Sequence, residues 1–230
     1  MKLKFFVVSK KTILIVLAIL FCLAFFLCCC AIRPTFQPSL QKVIVIDAGH
    51  GGIDGGCTGI NTKVKESDLN LKYAKKLQKL CQEMNFEVVM TRSNEDGLYE
   101  PFAKNKKKSE MEKREKIIKQ SHADLFVSIH MNSLSNKTLK GAQVFYKKDN
   151  IEAQSFADSI TAGLKSAGVV LRGESKVGDY YVLNCHDKAG VLIECGFLSS
   201  PEDEKNLMSE DYSQKVCNGI LKGILSFLNM

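Results

Sequence analysis

The sequence predicts an α/β fold built on a mainly parallel sheet, and three observations lead to that prediction. Short apolar runs of strand length alternate along the chain with longer segments whose apolar residues recur at helical spacing. The 230 residues are 45% apolar and 25% charged, a balance that suits one globular domain and excludes a disordered chain. No repeat of fixed period occurs, which excludes solenoid and propeller architectures.

The N-terminal segment predicts export. Residues 12–32 carry no charged side chain, and they follow four lysines at positions 2, 4, 10 and 11. About 20 apolar residues cross a bilayer as a helix, and lysines stay on the cytoplasmic side, so the rest of the chain is predicted to lie outside. Residues 1–32 are therefore interpreted as a signal anchor or as a signal peptide cut near Cys30 or Ala31. A lipoprotein signal is a third alternative, because three cysteines end the segment.

The charge distribution argues against a nucleic-acid partner. The formal net charge is +7, but removing the four N-terminal lysines leaves only +3 on the remaining chain. The chain contains no Trp, and its basic residues do not interleave with aromatic ones as they do in single-strand binders. Residues 33–41 hold two of the four prolines and are predicted to be a linker, so the globular domain is assigned to residues 42–230.

Strands and helices are predicted in alternation beyond the linker. The predicted strands are residues 43–47, 86–91, 124–129, 141–146, 180–183 and 191–195, and the predicted helices are residues 67–84, 104–120, 152–167 and 212–228. Ser67 or Glu66 is suited to begin the first helix, because capping and acidic residues favour a helix N-terminus. In such sheets the functional site lies beyond the carboxyl ends of the strands.

Metal-binding and proton-transferring residues occur at those strand ends. His50 follows the first predicted strand and His130 the third, while a glycine-rich loop leads to Glu66. Two imidazoles and one carboxylate form a zinc-ligand set with an open fourth position, where zinc lowers the pKa of water to about 7. Glu194, in the last predicted strand, is suited to take the proton of that water and pass it to a leaving amine. An unpaired carboxylate within an apolar run is otherwise costly.

Other functions are less consistent with these segments. The loop DAGHGGIDGG follows a strand as a phosphate-binding loop does, but the glycine pattern of dinucleotide sites fails at Asp54. His122 and His186 do not end a strand and are interpreted as ordinary polar groups. Five cysteines lie outside the apolar segment, an odd number with no CxxC pair, and most are interpreted as small buried side chains: Cys57, Cys81, Cys185, Cys195 and Cys217.

In their order along the chain, these motifs resemble a known family. VIVIDAGHGGIDGG, Glu66 ahead of a helix, ADLFVSIHMN and VLIECGFLSS are similar to the zinc-dependent N-acetylmuramoyl-L-alanine amidases of the amidase-3 type, over roughly residues 42–228. The resemblance implies a twisted six-stranded sheet flanked by helices. It implies Zn²⁺ bound by His50, Glu66 and His130, with Glu194 as the catalytic acid/base. The implied reaction is hydrolysis of the peptidoglycan amide between the lactyl group of N-acetylmuramic acid and the first L-alanine.

Within that family, the chain looks most like the germination-specific spore-cortex amidases, which remove stem peptides so that muramic δ-lactam can form. This resemblance implies an exported enzyme, membrane-anchored or secreted, in the forespore intermembrane space. Arg92 and Arg114 also resemble family positions, without an assigned role. Cys57 and Cys195 lie close to predicted site residues, and both are soft donors that leave the identity and affinity of the metal open.

Several alternatives stay open at the level of sequence. A zinc peptidase or a sugar deacetylase would use the same residues on another bond of the cell wall. A non-catalytic, membrane-anchored wall-binding protein would carry the same motifs without turnover. The sequence does not identify substrate-binding residues, and it leaves open whether an activating protein or a dimer is required.

Overall fold

The computed structural model describes residues 9–31 and 41–230. The chain divides into an N-terminal unit, which contains α1 (Lys10–Ala31), and a body formed by Gln41–Met230. In the described ranges, no helix combines the length and the apolar character needed to cross a bilayer. The export signal assigned to residues 1–32 stays a prediction. Residues 1–8 and 32–40, which include nearly all of the predicted linker at 33–41, lie outside the described residues.

The body is built on one mixed sheet. Its elements are β1 (Val43–Ala48), α2 (Glu66–Glu83), β2 (Glu87–Met90), α3 (Lys106–Gln120), β3 (Leu125–Asn132), β4 (Gln143–Tyr146), α4 (Ile151–Ser166), β5 (Lys176–Val177), α5 (Tyr181–Asn184), β6 (Ala189–Phe197), α6 (Pro201–Met208) and α7 (Glu210–Phe227). The strand order is β2-β1-β3-β6-β4-β5, and β4 runs antiparallel to β6 while the other neighbours are parallel. The predicted α/β fold with a mainly parallel, six-stranded sheet is confirmed.

Helices cover both faces of this sheet. One face packs against α2, α4 and α7 through residues such as Ile46, Val127 and Ile193. The other face packs against α3 and α5 through residues such as Val45 and Phe126. Because both faces are buried, the central strands are nearly continuous apolar runs, and this is the feature that predicted them.

Two parts of the predicted element order were wrong or incomplete. Residues 180–183 were predicted as a strand, but most of this segment forms the single helical turn α5, which buries Val182 and Leu183. A short apolar run does not by itself distinguish a strand from a helix. The remaining strand, β5, is only two exposed residues long. Helix α6 was not predicted, although Ser200 caps it and Pro201 lies in its first turn, both typical of a helix start.

The strands that carry the candidate site are longer than predicted. β3 continues to Asn132 and β6 to Phe197, so His130 lies within β3 and not beyond its end, while Glu194 lies within its strand as predicted. His130 and Glu194 are paired in register on neighbouring parallel strands. Residues paired in this way point to the same face of a sheet, so the pairing brings the two side chains together.

Candidate metal centre

His50 lies two residues after β1, in a left-handed backbone conformation with a φ of 59°. This conformation is uncommon for residues other than glycine, and it turns the chain sharply at the sheet edge. Gly49 is required before it, because a Cβ at that position would lie 2.2 Å from ring atoms of His130. The close approach lets the two imidazole rings meet edge to face, with centroids 5.0 Å apart.

Glu66 is the first residue of α2 and places its carboxylate between the two imidazoles. Its Oε1 lies 3.2 Å from His50 Nε2 and 2.9 Å from His130 Nδ1. The backbone N–H of Cys57 donates to Oε2 at 2.9 Å, and the backbone N–H of Met131 donates to Oε1 at 3.2 Å. The carboxylate is therefore held in one orientation by donors on both of its oxygens.

Glu66 and His50 each shift the pKa of the other. Burial alone would raise the pKa of Glu66, but the hydrogen bonds and charges of His130 and His50 hold it well below its usual value. Burial alone would lower the pKa of His50, but Glu66 and then Asp54 outweigh burial and raise it to about 9. A carboxylate that stabilises positive charge on the His50 imidazole also favours a cation bound between the two rings.

Asp54 is a further member of the cluster that sequence reasoning did not assign to the site. Its Oδ2 lies 2.9 Å from Nδ1 of His50, the ring nitrogen that does not face Glu66. A carboxylate on the far nitrogen of a metal-binding histidine fixes the orientation of the ring and makes it a better ligand. The four-residue spacing from His50 is the available sequence signal, but spacing in a glycine-rich loop does not fix where side chains point.

The donor atoms of His50, Glu66 and His130 fit a zinc ion. The three atoms all lie within 4.8 Å of one another. In a tetrahedral site with bonds of about 2.0–2.1 Å, ligand atoms are about 3.3 Å apart, which is close to the two separations measured from Glu66. Two imidazole nitrogens and one carboxylate oxygen are also a typical donor set of catalytic zinc, which leaves a fourth position for water or substrate.

Two arginines fix the turn that carries His50. Arg92 donates to the carbonyl oxygens of Gly49 and Ser67 at 2.9 and 2.8 Å, and so joins the end of β1 to the start of α2. Arg114 donates to the carbonyl oxygen of His50 at 2.6 Å. Arg114 also forms buried ion pairs with Asp47 and Glu110. These contacts give both arginines a structural role that the motifs alone did not reveal.

Glu194 is buried beside the cluster. Its residue is 8% exposed, and within the described part of the chain its Oε2 has no hydrogen-bond partner. Burial raises its pKa to about 7, although the positive charges of His130 and His50 oppose this rise. A carboxyl group with a pKa near neutrality can both accept and release a proton, which is the property required of a general acid/base.

A cavity of about 130 Å³ opens next to the two imidazoles. The residues that line it include apolar, aromatic and basic side chains: Met111, Val182, Leu192, Tyr180, Tyr181 and Lys107. The cavity gives a small group of a substrate access to the side of the cluster.

The other candidate side chains do not join the converging donor atoms. The Cys57 thiol lies 3.5 Å from the carbonyl oxygen of Met131, and Cys57 contacts Glu66 through its backbone amide. Cys195 is fully buried in β6. His186 packs against Phe126, and burial lowers its pKa to about 4. Across residues 9–31 and 41–230, the three-residue set of His50, Glu66 and His130 is the group whose donor atoms converge as metal ligands do.

A family model and a curated relative that match this sequence are both described as N-acetylmuramoyl-L-alanine amidases. The Amidase_3 family model, described as N-acetylmuramoyl-L-alanine amidase, matches residues 44–226. The germination-specific N-acetylmuramoyl-L-alanine amidase of Bacillus subtilis (strain 168) is 34% identical over 199 residues, which cover 85% of this chain and 83% of that protein.

Solved structures agree with the sequence matches. The CwlD amidase from Clostridioides difficile, determined in complex with the GerS lipoprotein, has a TM-score of 0.79 at 35% identity and covers 82% of this chain and 99% of that chain. The catalytic domain of CwlV, an N-acetylmuramoyl-L-alanine amidase from Bacillus (Paenibacillus) polymyxa var. colistinus, has a TM-score of 0.73 at 32% identity, with coverage of 82% and 99%.

Proposed function

The chain belongs to the Amidase_3 family of N-acetylmuramoyl-L-alanine amidases, and from this premise we propose that it is a zinc enzyme of the spore cortex. Its activity is the hydrolysis of peptidoglycan at the amide between N-acetylmuramic acid and L-alanine. The observation that carries the proposal is the convergence of His50, Glu66 and His130, with Glu194 in register beside them. In this proposal residues 42–230 are the catalytic domain.

The proposed zinc ligands are His50, through Nε2, Glu66, through Oε1, and His130, through Nδ1. Bound there, zinc supplies a Lewis acid that polarises the amide carbonyl and lowers the pKa of water to about 7. Asp54 fixes the ring of His50, and the Cys57 backbone amide fixes the carboxylate of Glu66. The ligands are thus oriented by the protein before the substrate arrives.

Glu194 is the proposed general acid/base. In amide hydrolysis, water loses a proton as its oxygen bonds to the lactyl carbonyl carbon. The alanine nitrogen gains a proton as the carbon–nitrogen bond breaks. A carboxyl group with a pKa near 7 is suited to accept the first proton and to deliver the second. The products are the free lactyl carboxylate of the muramic acid and a peptide with a free alanine amine.

The relatives support a location outside the cytoplasmic membrane, where peptidoglycan lies. The Bacillus subtilis relative is germination-specific. We extend this role to the present chain and assign it to the spore cortex, upstream of muramic δ-lactam formation. Residues 1–32 direct export in this proposal, either as an anchor or as a cleaved signal, and the forespore intermembrane space is the assigned compartment.

A protein partner is part of the proposal. The Clostridioides difficile relative was solved in complex with a lipoprotein. We extend this to an activating lipoprotein for the present chain. Size-exclusion chromatography after co-expression with lipoproteins of the same cell tests this, since a stable complex is expected. A chain that elutes alone and has full activity alone would contradict it.

Product analysis tests the proposed reaction. The full chain, together with the co-expressed lipoprotein where a complex forms, is incubated with zinc and a defined muropeptide, and the products are identified by mass spectrometry. A free stem peptide beginning with L-alanine and a sugar that keeps its lactyl and acetyl groups are expected. Cleavage within the peptide would indicate a peptidase, and loss of the acetyl group would indicate a deacetylase.

The role of Glu194 is tested in the same assay. Glu194→Gln keeps the shape of the side chain but not its proton chemistry, so kcat is expected to fall by about 10²- to 10⁴-fold. Zinc content should stay at the wild-type value. The exposed Glu202 lies in α6 and pairs with Lys140, so Glu202→Gln is the control and should turn over normally. Unchanged turnover by Glu194→Gln would refute the assigned role.

A further inference from the structure

We infer that Glu204 positions the proposed zinc ligand Glu66, acting through the loop that precedes α2. The inference rests on the proposed zinc site. Glu204 lies in the first turn of α6 and is only 1% exposed. It does not belong to the cluster of converging donor atoms.

The carboxylate of Glu204 holds the tip of the loop formed by residues 57–65. It accepts hydrogen bonds from the backbone N–H groups of Asn61 and Thr62 at 3.0 and 2.8 Å. The Asn61 side-chain amide and the Thr62 hydroxyl also donate to it, at 2.8 and 2.7 Å. A Cβ at Gly59 would lie 2.2 Å from its Oε1, so the loop is folded tightly around this one carboxylate.

The loop formed by residues 57–65 connects Glu204 to Glu66. Its two strands close on each other, since Gly59 N–H donates to Val64 O and Glu66 N–H donates to Cys57 O, both at 2.8 Å. At the base of the loop, Cys57 N–H donates to Oε2 of Glu66, which leaves Oε1 facing the two imidazoles. One end of this small hairpin is fixed by Glu204, and the other end aims the ligand.

The neighbouring Asp203 provides a matched comparison. It is also buried, at 6% exposure, and it accepts hydrogen bonds from the backbone N–H groups of Phe197 and Gly141, both at 2.9 Å. These donors belong to the end of β6 and to the segment before β4, not to the loop at residues 57–65. Loss of either carboxylate weakens packing around α6, but Glu204 is the one connected to Glu66.

Zinc affinity separates a positioning role from a merely structural one. The full-length wild type, Glu204→Gln and Asp203→Asn are titrated with zinc in competition with a chromophoric chelator. Glutamine offers one acceptor oxygen and turns an N–H group toward donors of the loop, so Glu204→Gln is expected to bind zinc about 10- to 100-fold more weakly. Asp203→Asn should bind zinc as the wild type does. Circular dichroism checks that both variants are folded.

Two results would overturn the inference. One is wild-type zinc affinity in Glu204→Gln, and the other is an equal loss of affinity in Asp203→Asn. A wild-type chain that binds no zinc would overturn the proposed metal site as well, so the two failures are distinguishable.

Milder variants keep the test informative if Glu204→Gln does not fold. Thr62→Val removes one donor to Glu204 and should weaken zinc binding in the same direction by a smaller factor. Co²⁺ bound to the same variant reports ligand geometry, and its visible absorption spectrum should differ from that of the wild type. An unchanged spectrum together with unchanged zinc affinity in Thr62→Val would count against the inference.

Discussion

Replacing Arg114 with methionine should destabilise the folded body strongly, because the guanidinium neutralises two buried carboxylates. Arg114, Asp47 and Glu110 are 2%, 1% and 4% exposed. Arg114 pairs with both acids and also donates to the carbonyl oxygens of Ala48 and His50 at 3.0 and 2.6 Å. Methionine fills a similar volume but removes the buried positive charge from Asp47 and Glu110 and the donor to the carbonyl oxygen of His50.

The size of the expected loss in stability follows from the burial of the ion pairs that Arg114 forms with Asp47 and Glu110. Removing one partner of a buried ion pair costs about 3–5 kcal/mol, because the remaining charge is left desolvated. Arg114→Lys keeps the positive charge but not the planar fork of donors that reaches four acceptors, so it should cost about 1–3 kcal/mol. Domain stabilities are about 5–15 kcal/mol, so the lysine variant should remain folded even where the methionine variant is marginal.

The free energy of unfolding lost in Arg114→Met should also depend on pH, and the structure predicts the direction of this dependence. In the wild type, burial would raise the pKa of Asp47, but Arg114, followed by Ser128 and Thr91, holds it below 3.8. Without Arg114 the effect of burial is no longer balanced, and the pKa of folded Asp47 should rise above its unfolded value. A raised carboxyl pKa favours the folded state at low pH, so the deficit of Arg114→Met should shrink between pH 7 and pH 5.

Urea unfolding followed by circular dichroism, with EDTA present, measures this deficit at the two pH values. A free energy of unfolding for Arg114→Met within about 1 kcal/mol of the wild type at pH 7 would refute the reasoning, since loss of a buried partner costs more than this. A deficit that grows on acidification would refute the pH argument.

Three further predictions concern single side chains. Asp54→Asn should weaken zinc binding about 10-fold in a chelator competition, because it weakens the contact that orients a ligand; unchanged affinity would exclude this role. Gly56→Ala should weaken zinc binding in the same titration, since its Cβ would lie 2.5 Å from Oε2 of Glu66 at a φ of +67°; Gly168→Ala, at +76° with nothing within 4 Å, is the control and should leave affinity unchanged. The folded pKa of His186, about 4 against 6.5, means that the unfolded chain binds the proton more readily, so stability is lost as pH falls through this window. His186→Phe should reduce that loss by up to about 3 kcal/mol in urea unfolding, and equal slopes in both proteins would contradict the assignment.

Local pattern was enough to predict the central part of the fold. The strands that contain residues 43–47 and 124–129 are buried on both faces, so their apolar runs are visible without any tertiary information. The same strands end near His50 and His130. Because functional sites lie beyond the carboxyl ends of parallel strands, these two residues were predicted to lie close together. In the structure their donor atoms and that of Glu66 lie within 4.8 Å of one another.

The elements and contacts that were missed depend on tertiary structure. Whether residues 180–183 form a strand or a helical turn is decided by tertiary packing, and in the structure α5 buries the adjacent Val182 and Leu183 together. The carbonyl acceptors of Arg114 and the pairing of Asp54 with His50 depend on how a loop folds back on itself. Residue spacing does not encode these choices, so the residues that orient the ligands were less predictable than the ligands.

X-ray absorption at the zinc edge of the full-length chain measures whether His50, Glu66 and His130 hold one zinc ion. We expect one zinc per chain, with two imidazoles and a carboxylate oxygen at about 2.0–2.2 Å and no sulfur at about 2.3 Å. His130→Ala should lose this zinc. A sulfur ligand, an absence of zinc from the wild type, or full zinc content in His130→Ala would contradict the account.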